Sequence, residues 1–284
     1  MKTSVIIPAR NEKYIRNTLD SLYANAGADF ETIVVMDGPT TYSFFRNYPN
    51  LIVVENTQQN GVRNAIRQGV SVSSGDLLLK LDAHCTICPN FISILKNDIM
   101  ENWVVVARRF TLDLETMVVQ SRPVDYYYLS CPWTHPSHFM MQSCPWITRT
   151  EECMNNMLDD LMCFQGSMWM MSRKHWDNLG GLEIGQETYA EHHEISMKTW
   201  SSGGRVVINK NAWYAHPSRG SRGYRMDMDQ VYKDHDHSAR YWTNQAAFFE
   251  WLIAKFWPLP TEHNRHRLEK YYWSENWRDC VRSM

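Results

Sequence analysis

Asp82 and His84 are separated by one residue and follow directly on the apolar run Leu77–Leu81. Residues two apart in a β-strand point to the same face, so this spacing aims one carboxylate and one imidazole at a common point just past the strand. In open α/β sheets, ligands bind at that end of the strands. A carboxylate beside an imidazole suits a divalent metal, and Mn²⁺ accepts this mixture of ligands. The pair therefore predicts a metal site, with a chance pattern in a surface loop as the alternative.

The segments around this pair predict an α/β fold. Apolar, β-branched runs typical of buried parallel strands alternate with segments whose apolar residues recur at helical spacing. The strands are predicted over residues 4–7, 31–36, 51–54 and 76–81, and the helices over residues 12–26 and 61–73. This order and spacing favour a Rossmann-like half with a mostly parallel sheet, in which Asp82 and His84 lie at the sheet edge.

The second half of the chain continues this pattern around a long irregular segment. Strands are predicted over residues 103–107, 167–172 and 205–208, and helices over residues 174–179 and 191–200. Residues 120–160 lack periodicity and contain the near-repeat Ser130–Trp133 and Ser143–Trp146. A long structured loop of this kind is often functional, although coincidence also explains the repeat.

The chain after about residue 220 is predicted to be a Trp-rich helical extension packed on the main domain. Helices are predicted over residues 239–257, where Pro258 ends the helical spacing, and over residues 262–282. A basic segment rich in Gly and Ser, with Arg219, Arg222 and Arg225, precedes them. A lid that closes over a diphosphate and a solvated linker are equally compatible with this segment.

Composition excludes several classes of function. With 284 residues and a formal net charge of −2, the chain can bury a substantial core but has no global field that attracts nucleic acid or anionic membrane. No window approaches the ~20 apolar residues of a membrane span, and residues 1–8 indicate a first strand rather than a secretory signal. The seven cysteines are scattered, and Cys85-x-x-Cys88 has no second pair to complete a zinc site. Reduced thiols and a cytoplasmic location are therefore expected.

The order of motifs resembles the GT-A fold glycosyltransferases of family 2, and within them the polypeptide N-acetylgalactosaminyltransferase branch. The matching segments are Ser4–Glu12, Ile33–Gly38, Gly61–Ala65, Ser74–Cys85, Gln165–Met170, Leu179–Leu182, Glu191–Trp200 and Trp213–Arg219. The resemblance covers roughly residues 3–220. It implies a GT-A domain over residues 1–220, with a nucleotide-binding half at about 1–110 and an acceptor half at about 111–220, followed by the extension at 221–284.

The resemblance also implies how metal and donor are bound. Asp-x-His is the metal motif of this branch and a later His completes it, which implies Asp82, His84 and His216 as ligands of Mn²⁺ or Mg²⁺. Asp37 matches the residue that holds the base or ribose of the donor, and the implied donor is a UDP-sugar. The further donor contacts implied are Pro8, Ala9, Arg10, Glu12, Arg63, Asp82, Gln165 and Gly166.

Two departures from the family pattern bear on the chemistry. Asn64 and Ile66 stand where the family has donor-binding arginines, and Arg63 is expected to substitute for them from one residue out of register. Glu191 and His192 match a catalytic acidic motif that usually reads Glu-Asp or Glu-Asn. If the reaction inverts the sugar, His192 suits a general base, because imidazole titrates near neutral pH. If the reaction retains configuration, as in the resembling branch, both residues would position donor or acceptor.

The resemblance implies a metal-dependent glycosyltransferase that moves a sugar from a UDP-sugar to a hydroxyl acceptor. The acceptor is left open among a glycan, a protein, a small molecule and a hydroxylated DNA base, and DNA binding would depend on local patches such as Arg219–Arg225. No lectin domain follows and no anchor precedes, so protein O-glycosylation in a secretory pathway is not expected. The alternatives are a non-catalytic nucleotide-sugar-binding protein and a nucleotidyltransferase, although residues 8–12 lack the glycine-rich phosphate loop of the latter.

Overall fold

The computed structural model describes residues 1–41, 47–129, 141–182, 190–217, 227–261, 273 and 278–279. The strands are β1 (Thr3–Ala9), β2 (Phe30–Met36), β3 (Leu51–Glu55), β4 (Leu77–Leu81), β5 (Thr86–Ile87), β6 (Trp103–Thr111), β7 (Tyr127–Leu129), β8 (Ser143–Pro145), β9 (Leu158–Asp160), β10 (Met168–Ser172) and β11 (Arg205–His216). The helices are α1 (Ile15–Asn25), α2 (Val62–Val72), α3 (Phe91–Asp98), α4 (Ile147–Glu152), α5 (Arg173–Asn178), α6 (Glu191–Ser201), α7 (Met228–Thr243) and α8 (Ala246–Phe256).

A nine-stranded sheet forms the centre of the described structure, in the order β3-β2-β1-β4-β10-β6-β11-β5, with β9 paired to β11. The strands β3, β2, β1 and β4 are mutually parallel, and β11 is parallel to β6. Strand β10 lies antiparallel between β4 and β6, so β6 and β11 run in the same direction as β4. The predicted α/β class with a mostly parallel sheet is confirmed.

Burial on both faces explains the sequences of the central strands. Strands β1, β2 and β4 are buried at nearly every position, so consecutive residues are apolar instead of alternating with polar ones. Helix α2 packs directly on β1 because Gly69 has no side chain: a Cβ at that position would lie 2.5 Å from Ile6 Cγ2. This close approach lets α2 lie directly against the face of the sheet.

The largest differences in extent between predicted and observed elements concern one strand and one helix. The strand predicted over residues 205–208 continues as β11 to His216, across a register shift between Asn209 and Trp213. The polar run Asn209–Asn211 hides this continuation, because such residues are uncommon inside strands. The helix predicted over residues 239–257 is two helices, α7 and α8, which both bury an apolar face in the same core. Neither Gly nor Pro marks the break, so the helical spacing runs through it.

Three predictions fall on parts of the chain that the structure does not describe. These are the first copy of the near-repeat, Ser130–Trp133, the basic residues Arg219, Arg222 and Arg225, and most of the helix predicted over 262–282. The second copy of the near-repeat is described and contributes β8, which pairs antiparallel with β7.

Helices α7 and α8 pack against the body of the fold. Their side chains Trp242, Phe249, Leu252 and Phe256 belong to the same apolar core as the central strands. The ring of Phe256 stands edge-on to Trp200 of α6, with centroids 5.7 Å apart. The division into residues 1–220 and 221–284 stays a prediction. None of the described helices combines the length and apolarity needed to cross a bilayer.

Candidate functional site

The carboxyl ends of β1, β2, β4 and β11 meet at one edge of the sheet, where β10 begins. A cavity at this edge is lined by Pro8, Ala9, Arg10, Glu12, Asp37, Val62, Lys80, Asp82, His84, Gln165, Gly166, Glu191, His192 and His216. The cavity thus brings together the residues that the sequence predicts for donor, metal and catalysis, apart from Arg63. Val62 and Lys80 line it in addition.

Three of these residues bring metal-binding atoms to one point. His84 Nε2 and His216 Nε2 are 3.0 Å apart, and His216 Nε2 is 3.1 Å from Asp82 Oδ2. His84 Nε2 and Asp82 Oδ2 are 3.9 Å apart. In an octahedral site with bonds of about 2.1 Å, neighbouring ligand atoms are about 3.0 Å apart and opposite ones about 4.2 Å. One carboxylate and two imidazoles at these separations fit a single divalent cation.

Glu12 holds His84 in this orientation. Its Oε2 atom lies 2.8 Å from His84 Nδ1, which leaves Nε2 directed towards His216. A carboxylate on the second ring nitrogen is the usual support of a metal-binding histidine. Glu12 is itself buried, and its Oε1 accepts a hydrogen bond from the Tyr14 backbone N–H at 3.2 Å. The sequence predicts Glu12 as a donor contact, and the structure places its carboxylate on a candidate metal ligand.

Asp82 is held by Lys80. The Lys80 ammonium donates to Asp82 Oδ1 and, at 2.5 Å, to the carbonyl oxygen of Gly166. Asp82 Oδ2 is therefore the oxygen that faces His216. Burial alone would raise the pKa of Asp82, but the charge of Lys80 and the hydrogen bond with His216 hold this pKa well below its usual range. The carboxyl group is consequently ionised and able to bind a cation.

His216 is neutral and is backed by a buried cation. Burial lowers the pKa of His216 to about 3, although the hydrogen bond with Asp82 opposes this shift. The neutral ring is the form that binds metals. Arg109 Nη2 lies 3.5 Å from Nδ1 of the same ring, and Arg109 Nη1 donates to the Tyr127 hydroxyl at 3.1 Å. The site therefore has a positive charge directly behind His216.

Asp37 connects the ends of two strands with the start of α2. Its Oδ2 atom accepts from Arg10 Nε at 2.9 Å and from Arg10 Nη2 at 2.5 Å. Its Oδ1 atom accepts from the backbone N–H groups of Asn60, at 2.6 Å, and Gly61, at 3.1 Å. Asp37 and Arg10 therefore present a carboxylate and a guanidinium side by side at the cavity wall.

Glu191 and His192 begin α6 and lie against Gly166 at the cavity wall. Burial acts to raise the pKa of Glu191, but His192 and Lys80 hold it below its usual value. His192 Nδ1 lies 3.7 Å from Glu191 Oε2. A Cβ at position 166 would overlap the Glu191 carboxylate and lie 2.9 Å from His192 Nδ1. Only glycine therefore lets the segment before β10 approach this pair so closely.

Helix α7 of the extension supports the same end of α6. His193, next to His192, shares a hydrogen bond with Ser143 Oγ at 3.0 Å, and its ring centroid lies 5.5 Å from that of His235 on α7. Burial lowers the pKa of both His193 and His235. Two neutral imidazoles therefore pack α7 against the turn of α6 that carries Glu191.

Arg63 lies away from the position expected for a donor-binding residue. Its guanidinium is buried against Glu194 of α6, and Lys198 Nζ approaches the same carboxylate at 2.6 Å. Only 1% of Arg63 is exposed, and Val62 instead of Arg63 lines the cavity. The structure places Arg63 outside the cavity lining, where its side chain joins α2 to α6, and a role for Arg63 in donor binding stays a prediction.

The sequence carries a signal for Lys80 but none for Arg109. Lys80 interrupts an otherwise apolar strand and lies on the same face as Asp82 and His84, at spacings of two residues. A lysine is almost never fully buried unless it is paired, which marks Lys80 as a site residue. Arg109 lies on β6, and only the pairing of β6 with β11 brings it beside His216.

Comparison with known sequences gives relatives of one enzyme class. A family model described as glycosyl transferase family 2 matches residues 4–180. Polypeptide N-acetylgalactosaminyltransferase 3 of Mus musculus is 23% identical over 235 residues, which cover 72% of this chain and 35% of that protein. Polypeptide N-acetylgalactosaminyltransferase 11 of Xenopus tropicalis is 26% identical over 177 residues, which cover 61% of this chain and 28% of that protein. The chain thus spans about a third of the length of these curated relatives.

Three solved structures are similar in fold, each with 16% sequence identity. GalNAc-T7 with UDP, GalNAc and Mn²⁺ has a TM-score of 0.67 and covers 90% of this chain and 51% of its own. S. aureus TarS 1–349 in complex with UDP-GlcNAc has a TM-score of 0.55, and the match covers 90% of this chain and 73% of that one. The mannosyltransferase PcManGT from Pyrobaculum calidifontis in complex with GDP-Man and Mn²⁺ has a TM-score of 0.54, and the match covers 89% of this chain and 63% of that one. At this identity the likeness shows the fold alone, and the predicted GT-A fold is confirmed.

The Arg63→Met variant should lower the free energy of unfolding by about 3 kcal/mol, because it removes one partner of a buried carboxylate. The double variant Arg63→Met/Glu194→Met should recover part of this loss, since it removes the buried charge with its partner. Urea unfolding followed by circular dichroism measures both changes. Isothermal titration should show the same affinity for a nucleotide sugar in the folded double variant as in the native protein. A tenfold weaker affinity in the double variant would show that Arg63 contributes to donor binding.

Proposed function

The chain belongs to glycosyltransferase family 2, and from this we propose that it moves a sugar from a UDP-sugar to a hydroxyl acceptor in a metal-dependent reaction. The observation that carries the proposal is the convergence of Asp82, His84 and His216 in a cavity shared with Asp37 and Glu191. Metal-binding atoms, a carboxylate suited to a nucleotide and a carboxylate suited to a reacting sugar occupy one space, as transfer from a nucleoside diphosphate sugar requires.

The donor is proposed to lie between Asp37 and Glu191. A carboxylate such as that of Asp37 can accept a hydrogen bond from a base N–H or a ribose hydroxyl. Solved structures of similar fold hold UDP with GalNAc, UDP-GlcNAc or GDP-Man, and the curated relatives are named for N-acetylgalactosamine transfer. These names support a UDP-sugar and make UDP-N-acetylgalactosamine the first donor to test.

Asp82, His84 and His216 are proposed to hold Mn²⁺ or Mg²⁺. A divalent cation bound there would offset the negative charge that develops on the leaving diphosphate. Glu12 directs Nε2 of His84 into the site, and Lys80 directs Oδ2 of Asp82 into it. Two of the three ligands are thus oriented in advance by their neighbours, as is usual for metal-binding side chains.

Glu191 and His192 are proposed as the catalytic pair on the acceptor side. Both line the cavity beside Gly166. If the acceptor hydroxyl gives its proton to the protein, His192 is the group placed to take it, and the ionised carboxylate of Glu191 would stabilise the positive charge that then forms. If configuration is retained, the same two side chains orient the acceptor against the donor.

The acceptor is proposed to be a hydroxyl group that enters beside His192. Glycans, protein side chains, small molecules and hydroxylated DNA bases all supply such a group. The polypeptide in the names of the curated relatives is one member of this class.

The Asp82→Asn variant should lose metal-dependent donor binding, because it keeps the size of the side chain but removes the charge that attracts the cation. In the native protein, Mn²⁺ with a UDP-sugar should raise Tm by several degrees, since a ligand that binds the folded state stabilises it. Slow hydrolysis of the donor should release UDP. Both effects should be absent from the variant. Thermal shift and UDP release over a panel of UDP-, GDP- and CDP-sugars, with and without Mn²⁺, measure them.

The matched control is Asp29→Asn, because Asp29 is an exposed aspartate outside the cavity. It should respond to donor and metal as the native protein does. The proposal fails if no nucleotide sugar stabilises the native protein, or if the response survives in the Asp82→Asn variant. A response to GDP-mannose alone would contradict the UDP donor.

The Glu12→Gln variant should bind Mn²⁺ about 10–100-fold more weakly at saturating UDP, because loss of a carboxylate that supports a metal-binding histidine has a cost of this size. Electron paramagnetic resonance of free Mn²⁺ measures the affinity. The exposed Glu115→Gln variant serves as the control and should match the native protein. Native affinity in the Glu12→Gln variant would show that Glu12 does not position His84.

The His192→Asn variant should hydrolyse the UDP-sugar at least ~100-fold more slowly, with the affinities for UDP and Mn²⁺ unchanged, because proton transfer by a positioned side chain contributes a factor of this order. Steady-state kinetics and titration calorimetry separate the two quantities. The anomeric configuration of the released sugar, followed by NMR, then assigns the role. Inversion indicates a general base, and retention indicates a positioning residue. A loss of rate below tenfold would exclude His192 from the catalytic pair.

A further inference from the structure

Two buried cations flank the residues proposed to hold the metal. Lys80 donates to Asp82 Oδ1, and Arg109 Nη2 lies 3.5 Å from His216 Nδ1. Only 1% of Lys80 and 8% of Arg109 is exposed, so water screens both charges weakly. A positive charge beside each of two ligands opposes the binding of a further cation.

Arg109 has no carboxylate partner among the described residues. Its Nη1 donates to the neutral hydroxyl of Tyr127, and its Nε is buried without a hydrogen-bond partner. A buried guanidinium left in this state is costly unless a negative group approaches it. The positive charge behind His216 therefore points to an anion as part of the complete site.

The charges around the site nearly cancel. Glu12, Asp37, Asp82 and Glu191 bring four carboxylates to the cavity, Arg10 and Lys80 bring two cations, and Arg109 adds a third behind His216, which leaves a formal charge of −1. Without Lys80 and Arg109 the same ligands would lie in a strongly negative cavity that attracts any free divalent ion. With them, much of that attraction is removed.

We propose that Lys80 and Arg109 make the metal site conditional on the donor. The two cations weaken the binding of a free divalent ion, and the negative diphosphate of the donor restores it. This inference rests on the proposed function, because it takes Asp82, His84 and His216 as metal ligands and a diphosphate as their neighbour. By linkage, the metal strengthens donor binding by the same factor, so neither is held firmly without the other.

The repulsion between the Lys80 charge and the metal should change the affinity for free Mn²⁺ more than the orientation of Asp82 by Lys80 does. The repulsion between two unit charges about 4 Å apart, with an effective dielectric constant of about 20, changes a binding constant by roughly a thousandfold. Loss of a side chain that only orients a metal ligand weakens binding by about 10–100-fold. Removal of this charge should therefore tighten the binding of free Mn²⁺, even though Asp82 loses a hydrogen bond.

The test is a titration of the full chain with Mn²⁺, followed by electron paramagnetic resonance, with and without saturating UDP and corrected for the Mn²⁺–UDP complex in solution. The native protein should bind Mn²⁺ at least ~100-fold more tightly with UDP. The Lys80→Met variant should bind Mn²⁺ alone at least tenfold more tightly than the native protein, and UDP should then add less. The Lys80→Arg variant keeps the charge and should stay within threefold of the native affinity for Mn²⁺ alone.

Circular dichroism establishes whether each variant is folded, and Arg109→Met repeats the test if Lys80→Met is not. The inference is overturned if the folded charge-removing variants bind Mn²⁺ alone no more tightly than the native protein. It is also overturned if the native protein binds Mn²⁺ equally well with and without UDP. If the native protein binds no Mn²⁺ even with UDP, the proposed function fails and this inference with it. If the native protein binds Mn²⁺ tightly with UDP, but the variants bind Mn²⁺ alone no more tightly than the native protein does, this inference fails and the proposed function stands.

Discussion

The antiparallel position of β10 between β4 and β6 is the constraint on which the site depends. Because one reversed strand separates them, β4, β6 and β11 run in the same direction, and their carboxyl ends reach the same edge of the sheet. Asp82 and His216, 134 residues apart in the chain, thereby come within 3.1 Å of each other. The same reversal brings Gly166, which precedes β10, to that edge from the opposite direction.

Charge pairing is the second organising interaction of this edge. An ionised group in the protein interior is stable only when a partner and further hydrogen bonds offset its lost hydration. Asp37 satisfies this through Arg10 and two backbone N–H groups, and Asp82 through Lys80. Each of these pairs also fixes the direction of the carboxylate oxygens, so the interactions that offset the cost of burial are the ones that shape the cavity.

Helix α6, which carries Glu191 and His192, is positioned by contacts outside the cavity. Arg63 of α2 holds Glu194, and His235 of α7 packs on His193. Both contacts lie within one turn of Glu191. Helices α2 and α7 therefore converge on the start of α6, and a displacement of either would move the carboxylate that lies against Gly166.

The position of Arg63 shows what a sequence motif leaves undetermined. One residue along a helix turns the side chain by about 100°, so Val62 faces the cavity while Arg63 faces α6. A motif matched to within one residue cannot distinguish these directions. The role of Glu12 in holding His84 was hidden for a related reason, because 72 residues separate the two side chains.

The sequence by itself determined the strands of the first half, the strand-end position of Asp82 and His84, and the family pattern that includes His216 and Glu191. These features are recorded in local spacing, since side-chain direction along a strand repeats every two residues. Only the tertiary structure decided that Arg109 stands behind His216 and that Lys80 joins Asp82 to Gly166. Such contacts follow from the pairing and register of strands far apart in the chain, which no local pattern encodes.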